Sequence, residues 1–154
     1  MTVIGLCVVI SPKGPTVSCV LVSGDRDNPS VVDSYVLKTS ADGQADRLVH
    51  LAQNLRSKIS GLEIEHAVIR VADVSPKGNR SAAPRNRLLI EGALMLVCRE
   101  QVHGSVCART GKEVGEVLGV PKVEAVATGK RLVAKHAEAA AAAISGLPTA
   151  TTSG

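Results

Sequence analysis

Three apolar, β-branched runs separated only by tight turns restrict this fold more than any other feature. They cover residues 3–11, 16–22 and 31–37. Between them lie Ser11-Pro12-Lys13-Gly14-Pro15 and Gly24-Asp25-Arg26-Asp27-Asn28-Pro29, both dense in turn-forming residues. Connections this short join antiparallel neighbours, so the first quarter of the chain is predicted to be a three-stranded meander.

The period then changes. Thr39-Ser40-Ala41-Asp42 fits a capping box. Behind it Leu48, Leu51, Ala52, Leu55 and Ile59 recur at helical spacing, which predicts an amphipathic helix ending at Gly61. The run 66–72, His-Ala-Val-Ile-Arg-Val-Ala, is too brief for a helix and rich in β-branched residues, so it is a fourth buried strand. Pro84 suits the first turn of a second helix through Leu88, Ile90, Leu94, Leu96 and Val97, with Gly92 a point of close packing against the sheet. A short fifth strand is expected over 103–108. Thr110 with Glu113 caps a third helix over 110–118. Helical pattern resumes over 123–144, with a break expected at Gly129 and a strongly helix-forming alanine run at 139–143. From Pro148 the chain is Thr/Ser/Gly-rich and expected to fray.

The order is β-β-β-α-β-α-β-α: a single α/β domain over 1–147 with a flexible tail over 148–154. Strands one, four and five should be parallel, joined by right-handed crossovers, in a five-stranded mixed sheet flanked by helices. Ligands of such sheets sit beyond the carboxyl ends of the parallel strands. Here those ends fall near Ser11, near Arg70 to Asp73, and near Ala108 to Thr110.

The core must be aliphatic, because the chain has no Phe or Trp and a single aromatic residue, Tyr35. Cys7, Cys19, Cys98 and Cys107 form no C-x-x-C pair and lie in or beside apolar runs, as buried free thiols do. The first apolar run lacks a basic flank and is too short to cross a bilayer, which is the pattern of a cytoplasmic protein without membrane contact. The net charge of +4 is unevenly spread. Arg70, Lys77, Arg80, Arg85 and Arg87 stand against one nearby acid, Asp73. This basic stretch is either a contact for an anionic partner or a solvated loop.

Several short motifs are similar to the RuvC-like branch of the RNase H-like superfamily. Ile10-Ser11-Pro12-Lys13-Gly14 resembles its first-strand motif of Ile-Asp-Pro-Gly type. Ala67-Val68-Ile69-Arg70 resembles its fourth strand, which normally ends in glutamate. Ala108-Arg109-Thr110-Gly111-Lys112-Glu113-Val114 resembles the segment after its fifth strand. His136-Ala137-Glu138-Ala139-Ala140 resembles its last helix, which carries one or two aspartates before an alanine-rich turn. The resemblance spans nearly the whole chain and implies the RNase H-like fold. It also implies an ancestry of nucleic-acid cleavage by two magnesium ions held by three or four carboxylates, since a hard cation needs oxygen ligands.

This chain departs from that pattern at the positions that matter. Ser11 stands for the first aspartate (a shifted alignment puts Cys7 there), Arg70 for the fourth-strand glutamate, and Glu138 alone persists in the last helix beside Lys135 and His136. Two unit charges about 4 Å apart interact by roughly 4 kcal/mol at an effective dielectric near 20. An arginine therefore opposes a divalent ion with about twice that. A salt bridge from Arg70 to Glu138 would fill the vacated place.

The resemblance with these departures implies a catalytically degenerate domain used for binding or assembly. It has no cofactor, and its partner is nucleic acid through Lys77, Arg80, Arg85 and Arg87, or a protein. Without aromatic platforms, nucleic-acid binding should be electrostatic and steeply salt-dependent. Two alternatives stay open. One is a magnesium-dependent nuclease with acids relocated to Asp73, Glu91 and Glu138; regular alternation puts Asp73 on the face opposite Arg70, where it reads as a turn-initiating aspartate. The other is a structural homo-oligomer. Other constellations fail: Gly104 and Gly111-Lys112 are spaced two residues too far for a phosphate loop, with Glu113 in the magnesium-binding place. The histidines His50, His66, His103 and His136 have no metal-ligand spacing.

Overall fold

The computed structural model describes residues 1–73 and 82–150, the side chains of 82 and 83 excepted. Strands β1 (Thr2–Ser11), β2 (Gly14–Gly24) and β3 (Pro29–Lys38) form the antiparallel meander. They are followed by α1 (Gln44–Ile59), β4 (His66–Arg70), α2 (Ala82–Gln101), β5 (Val106–Arg109), α3 (Gly111–Leu118), α4 (Lys122–Leu132) and α5 (Ala137–Ser145). The sheet order is β3-β2-β1-β4-β5, with β4 parallel to both β1 and β5. This is the mixed α/β sheet that the order of runs predicts.

Each sheet face has its own apolar layer. On one, Ile4, Leu6 and Ile69 meet Leu51, Leu55 and Ile59 of α1 and Ile90, Leu94 and Val97 of α2. On the other, Val3, Val20 and Val68 meet the alanines of α5 and Val114 of α3. Small residues let α5 approach closely. A β-carbon at Gly5 would overlap the backbone of Ala139 and lie 2.6 Å from Ala143 N. The helix that carries Glu138 is thus pressed directly onto β1.

Several local expectations are corrected. Thr39 does not open α1: its Oγ1 accepts the Ala41 N–H (3.2 Å), closing a turn, and the helix starts behind Gly43 without a side-chain cap. The box of Thr110 and Glu113 forms as predicted. Strand β4 stops at Arg70, short of Ala72, and β5 starts at Val106, because His103 N–H is spent on Ile64 O (3.0 Å) in the preceding turn. Gly92 touches nothing a β-carbon would meet, so it is no packing point. The helical break falls not at Gly129 but at a 3-10 turn, Ala134–His136. Gly129 instead lies where α4 crosses α5, and a β-carbon there would overlap the backbone of Ala137.

The α2 stripe also differs from the expected one. Ile90, Leu94, Val97 and Cys98 are buried, while Leu88 (67% exposed) and Leu96 (60%) face outward. Cys7, Cys19 and Cys98 are buried free thiols, and Cys107 is half-buried and free. The tail is tied down at its start, where Pro148 O accepts the Arg26 N–H (3.0 Å); residues 151–154 lie outside the described residues. Arg26 also donates to the carbonyls of Ser145, Leu147 and Val117 at the ends of α5 and α3, and Ser145 O takes a second bond from Arg109 Nη1 (2.9 Å). No helix among the described residues is long and apolar enough to cross a membrane.

Candidate functional site

The parallel strands bring their carboxyl ends to one edge of the sheet, and register decides what meets there. In the β1–β4 pairing Cys7 stands beside Arg70. Ser11 lies four residues farther along β1, where its Oγ donates to Gly14 O (3.1 Å) and accepts the Lys13 N–H (3.3 Å). It closes the β1–β2 turn. The first-strand residue of this edge is therefore Cys7, and the placement of Ser11 there is corrected.

Arg70 is 5% exposed, unusual burial for a guanidinium. Its Nη2 lies 3.5 Å from Asp73 Oδ2 and 3.6 Å from Glu138 Oε1, and its Nη1 donates to the Val71 carbonyl. The expected contact with Glu138 is thus present. Asp73 is on the Arg70 side and not on the opposite face, because β4 ends at Arg70 and strand alternation stops there; the residues that a turn from Asp73 would use, 74–76, lie outside the described residues. Asp73 also pairs with Lys122 at the start of α4 and accepts the Lys112 N–H (3.3 Å). The Lys122 hydrogen bond, chiefly, holds the Asp73 carboxyl below its usual range. Gly111 makes room for this cluster: a β-carbon there would overlap Arg70 and lie 2.6 Å from Lys122 Cε.

Behind Arg70 lies a second pair. Arg87 Nε is 3.1 Å from Glu91 Oε2, and Arg87 Nη2 donates to Arg70 O (3.4 Å) and lies 3.9 Å from Cys7 Sγ. Glu91 is 4% exposed. Burial pushes its carboxyl pKa up, against the pull of Arg87 and of the Ala72 N–H it accepts. The Cys7 thiol donates to Glu138 Oε2 (3.3 Å), and burial followed by the Glu138 charge pushes its pKa to about 12. It is a neutral thiol at physiological pH, not a reactive thiolate. His136 shares a cleft with Cys7 and Glu138; its Nδ1 is buried with no hydrogen-bond partner among the described residues.

The edge therefore holds Asp73, Glu91 and Glu138 interleaved with Arg70, Arg87 and Lys122. A divalent ion held by Asp73 and Glu138 would need the position of the Arg70 guanidinium, so this donor set does not fit magnesium. Among the described residues no three His, Cys, Asp or Glu side chains group to hold a metal. Of the basic stretch, Lys77 and Arg80 lie outside the described residues. Arg85 is exposed near the start of α2, whereas Arg87 is turned into the cluster and bonded there. Cys7 and Lys122 carry no local motif; counting parallel register back from Arg70 would have found Cys7.

The buried Glu91 and the partly exposed Asp73 give opposite pH dependences. Because the folded pKa of Glu91 is raised, the folded state binds a proton more readily than the unfolded one, so this group adds stability as pH falls through the raised value. Asp73 has a depressed folded pKa, so its stabilisation is present above the unfolded carboxylate value and lost as pH falls through the folded one. We expect Glu91→Gln to remove the first component: urea midpoints of wild type minus variant should rise on acidification from neutral pH toward the ordinary carboxylate range. A flat difference would mean that Glu91 is not desolvated.

Strand order, crossovers and a site at the carboxyl edge together define an RNase H-like fold of the RuvC form. Solved structures with this architecture include Thermus thermophilus RuvC, with a TM-score of 0.69 and 18% identity over 94% of this chain and 92% of that one. T. thermophilus RuvC in complex with a Holliday junction substrate matches with a TM-score of 0.68 and 15% identity over 94% and 91%. The yeast mitochondrial Holliday junction resolvase Ydc2 matches with 0.59 and 13% over 93% and 76%. At these identities the likeness is one of fold. No protein-family model matches the sequence, and no curated protein matches it.

Proposed function

We propose that this chain is a binding or assembly module on a RuvC-like scaffold, with nucleic acid as its partner and no cleavage of its own. The observation that supports this reading is the buried Arg70 guanidinium between Asp73 and Glu138: a protein cation lies between two acids that a divalent ion would need as ligands. The Holliday junction bound by T. thermophilus RuvC supports a nucleic acid as the class of partner. Arg85 with Lys77 and Arg80 supplies the phosphate contacts in this reading; Arg87 does not, being bonded inward.

A four-way DNA junction and a duplex of equal length test it. The wild type should retard DNA at low salt and leave it uncut with magnesium present. Lys77→Ala/Arg80→Ala/Arg85→Ala should sharply weaken retardation and flatten the salt slope by about 0.9 per lost phosphate contact. Magnesium-dependent cutting that disappears on Glu138→Ala would replace this reading with the nuclease whose ligands are Asp73, Glu91 and Glu138.

The outward face of α2 favours a second reading, assembly of identical copies. Leu88, Leu89 (46% exposed) and Leu96 make an apolar stripe on one helix, beside a cleft lined by Val71, Pro84 and Met95. In that case the wild type elutes as a dimer whatever the salt, and Leu88→Glu/Leu96→Glu elutes as a folded monomer. A wild type already monomeric at high concentration sinks it.

A further inference from the structure

A second cavity lies at the same edge of the sheet, on the α1/α2 side, beyond the carboxyl end of β1. It encloses about 260 Å³ between the β1–β2 turn, α1 and α2. Its floor is aliphatic, made by Ile10, Leu48 and Ile90. Its rim is polar and basic: Gln44 and Arg47 from α1, Asn86 from α2 and Lys13 from the turn.

The rim has a defined polarity. Gln44 Nε2 donates to Asn86 Oδ1 (2.5 Å), bridging the two helices. Among the described residues that leaves Gln44 Oε1 as an acceptor and Asn86 Nδ2 as a donor, each without a partner and on residues that line the cavity. Arg47 spends its Nε on Ala41 O (2.8 Å), and its terminal nitrogens make no bond among the described residues. Lys13 is exposed.

A simple anion would satisfy the cations but leave the aliphatic floor wet. A purely apolar ligand would bury the carboxamides unpaired. A ligand with a flat apolar body, an adjacent donor and acceptor on one edge and an attached negative charge answers every part of the lining. We infer that the cavity receives a single unstacked nucleobase of a bound nucleic acid strand, its edge on Gln44 and Asn86 and its flanking phosphates on Lys13 and Arg47. Extruded bases are held in this way, by hydrogen bonds to an edge and by apolar side chains against the ring faces. Ring faces here would rest on aliphatic side chains, in keeping with a chain that has almost no aromatic residues. This inference deepens the nucleic-acid reading and rests on it.

The test uses a single-stranded oligonucleotide of about 12 nucleotides, within the span of common single-strand sites, carrying one central 2-aminopurine. Bound to wild type, the probe should brighten as its base leaves the stack. Gln44→Ala/Asn86→Ala, two substitutions outside the core, should abolish the brightening and weaken binding about tenfold, as loss of one bidentate edge contact does. Lys13→Ala should reduce affinity and its salt slope yet keep the brightening. Binding with the same fluorescence in wild type and double variant overturns the base pocket while leaving the nucleic-acid reading intact. Failure of the wild type to bind junction, duplex or oligonucleotide overturns both.

Discussion

Arg70→Ala is expected to cost about 2–3 kcal/mol of folding stability, with a fall in Tm of about 5–10 °C for a chain of this length. The arithmetic starts from burial. Removing one partner of a fully buried ion pair costs about 3–5 kcal/mol, mostly because the other charge is left without compensation. Here the guanidinium is buried, but the side chains of Asp73 and Glu138 are 34% and 44% exposed, so water takes up part of the loss. Asp73 also keeps Lys122. Its acid-dependent stabilisation should therefore shrink in the variant without vanishing. Arg70→Met/Glu138→Gln should recover most of the loss, since Asp73 keeps Lys122 and Glu138, the other acid beside Arg70, is neutral. If Arg70→Ala melts within a degree or two of wild type, the cation is not what holds this edge together.

The architecture was legible because its signals are local. Alternating apolar runs, short turns and the Thr110–Glu113 cap each act over a few residues, and strand order follows from the crossover rules. The site was legible only where one residue carried the message, as Arg70 and Glu138 do. Ser11 matches the first-strand motif better than Cys7 because a Pro-Lys-Gly turn imitates it, whereas the edge is set by parallel register, which no local pattern encodes. Alternation misplaces Asp73 for a related reason: it holds only while the strand lasts, and β4 ends three residues before Asp73. The direction of Arg87 depends on Glu91 one helical turn later being buried, a consequence of how α2 leans on the sheet. Leu88 and Leu96 stand six and two residues from Leu94, off its stripe, and with apolar residues on both sides of α2 the sequence does not say which side the sheet will cover.

Acidic side chains in place of Cys7 and Arg70 should create a divalent-ion site at this edge. In Cys7→Asp/Arg70→Glu, carboxylates at positions 7 and 70 would join Asp73 and Glu138 at one strand edge, since register sets 7 beside 70, and both acids already contact Arg70. Without metal this variant should be less stable than wild type, because like charges about 4 Å apart repel by roughly 4 kcal/mol at an effective dielectric near 20. Magnesium or manganese should reverse that, since hard cations take clustered carboxylate oxygens. At a hundredfold excess over its dissociation constant a bound ion stabilises by about 2.7 kcal/mol, a rise in Tm of about 5–10 °C. Wild type should not respond, and Glu138→Gln added to the double variant should weaken the response. A folded double variant indifferent to divalent ions, or a wild type that gains as much from them, would show that Arg70 does not occupy a metal's place, and the argument against cleavage would lose its physical basis.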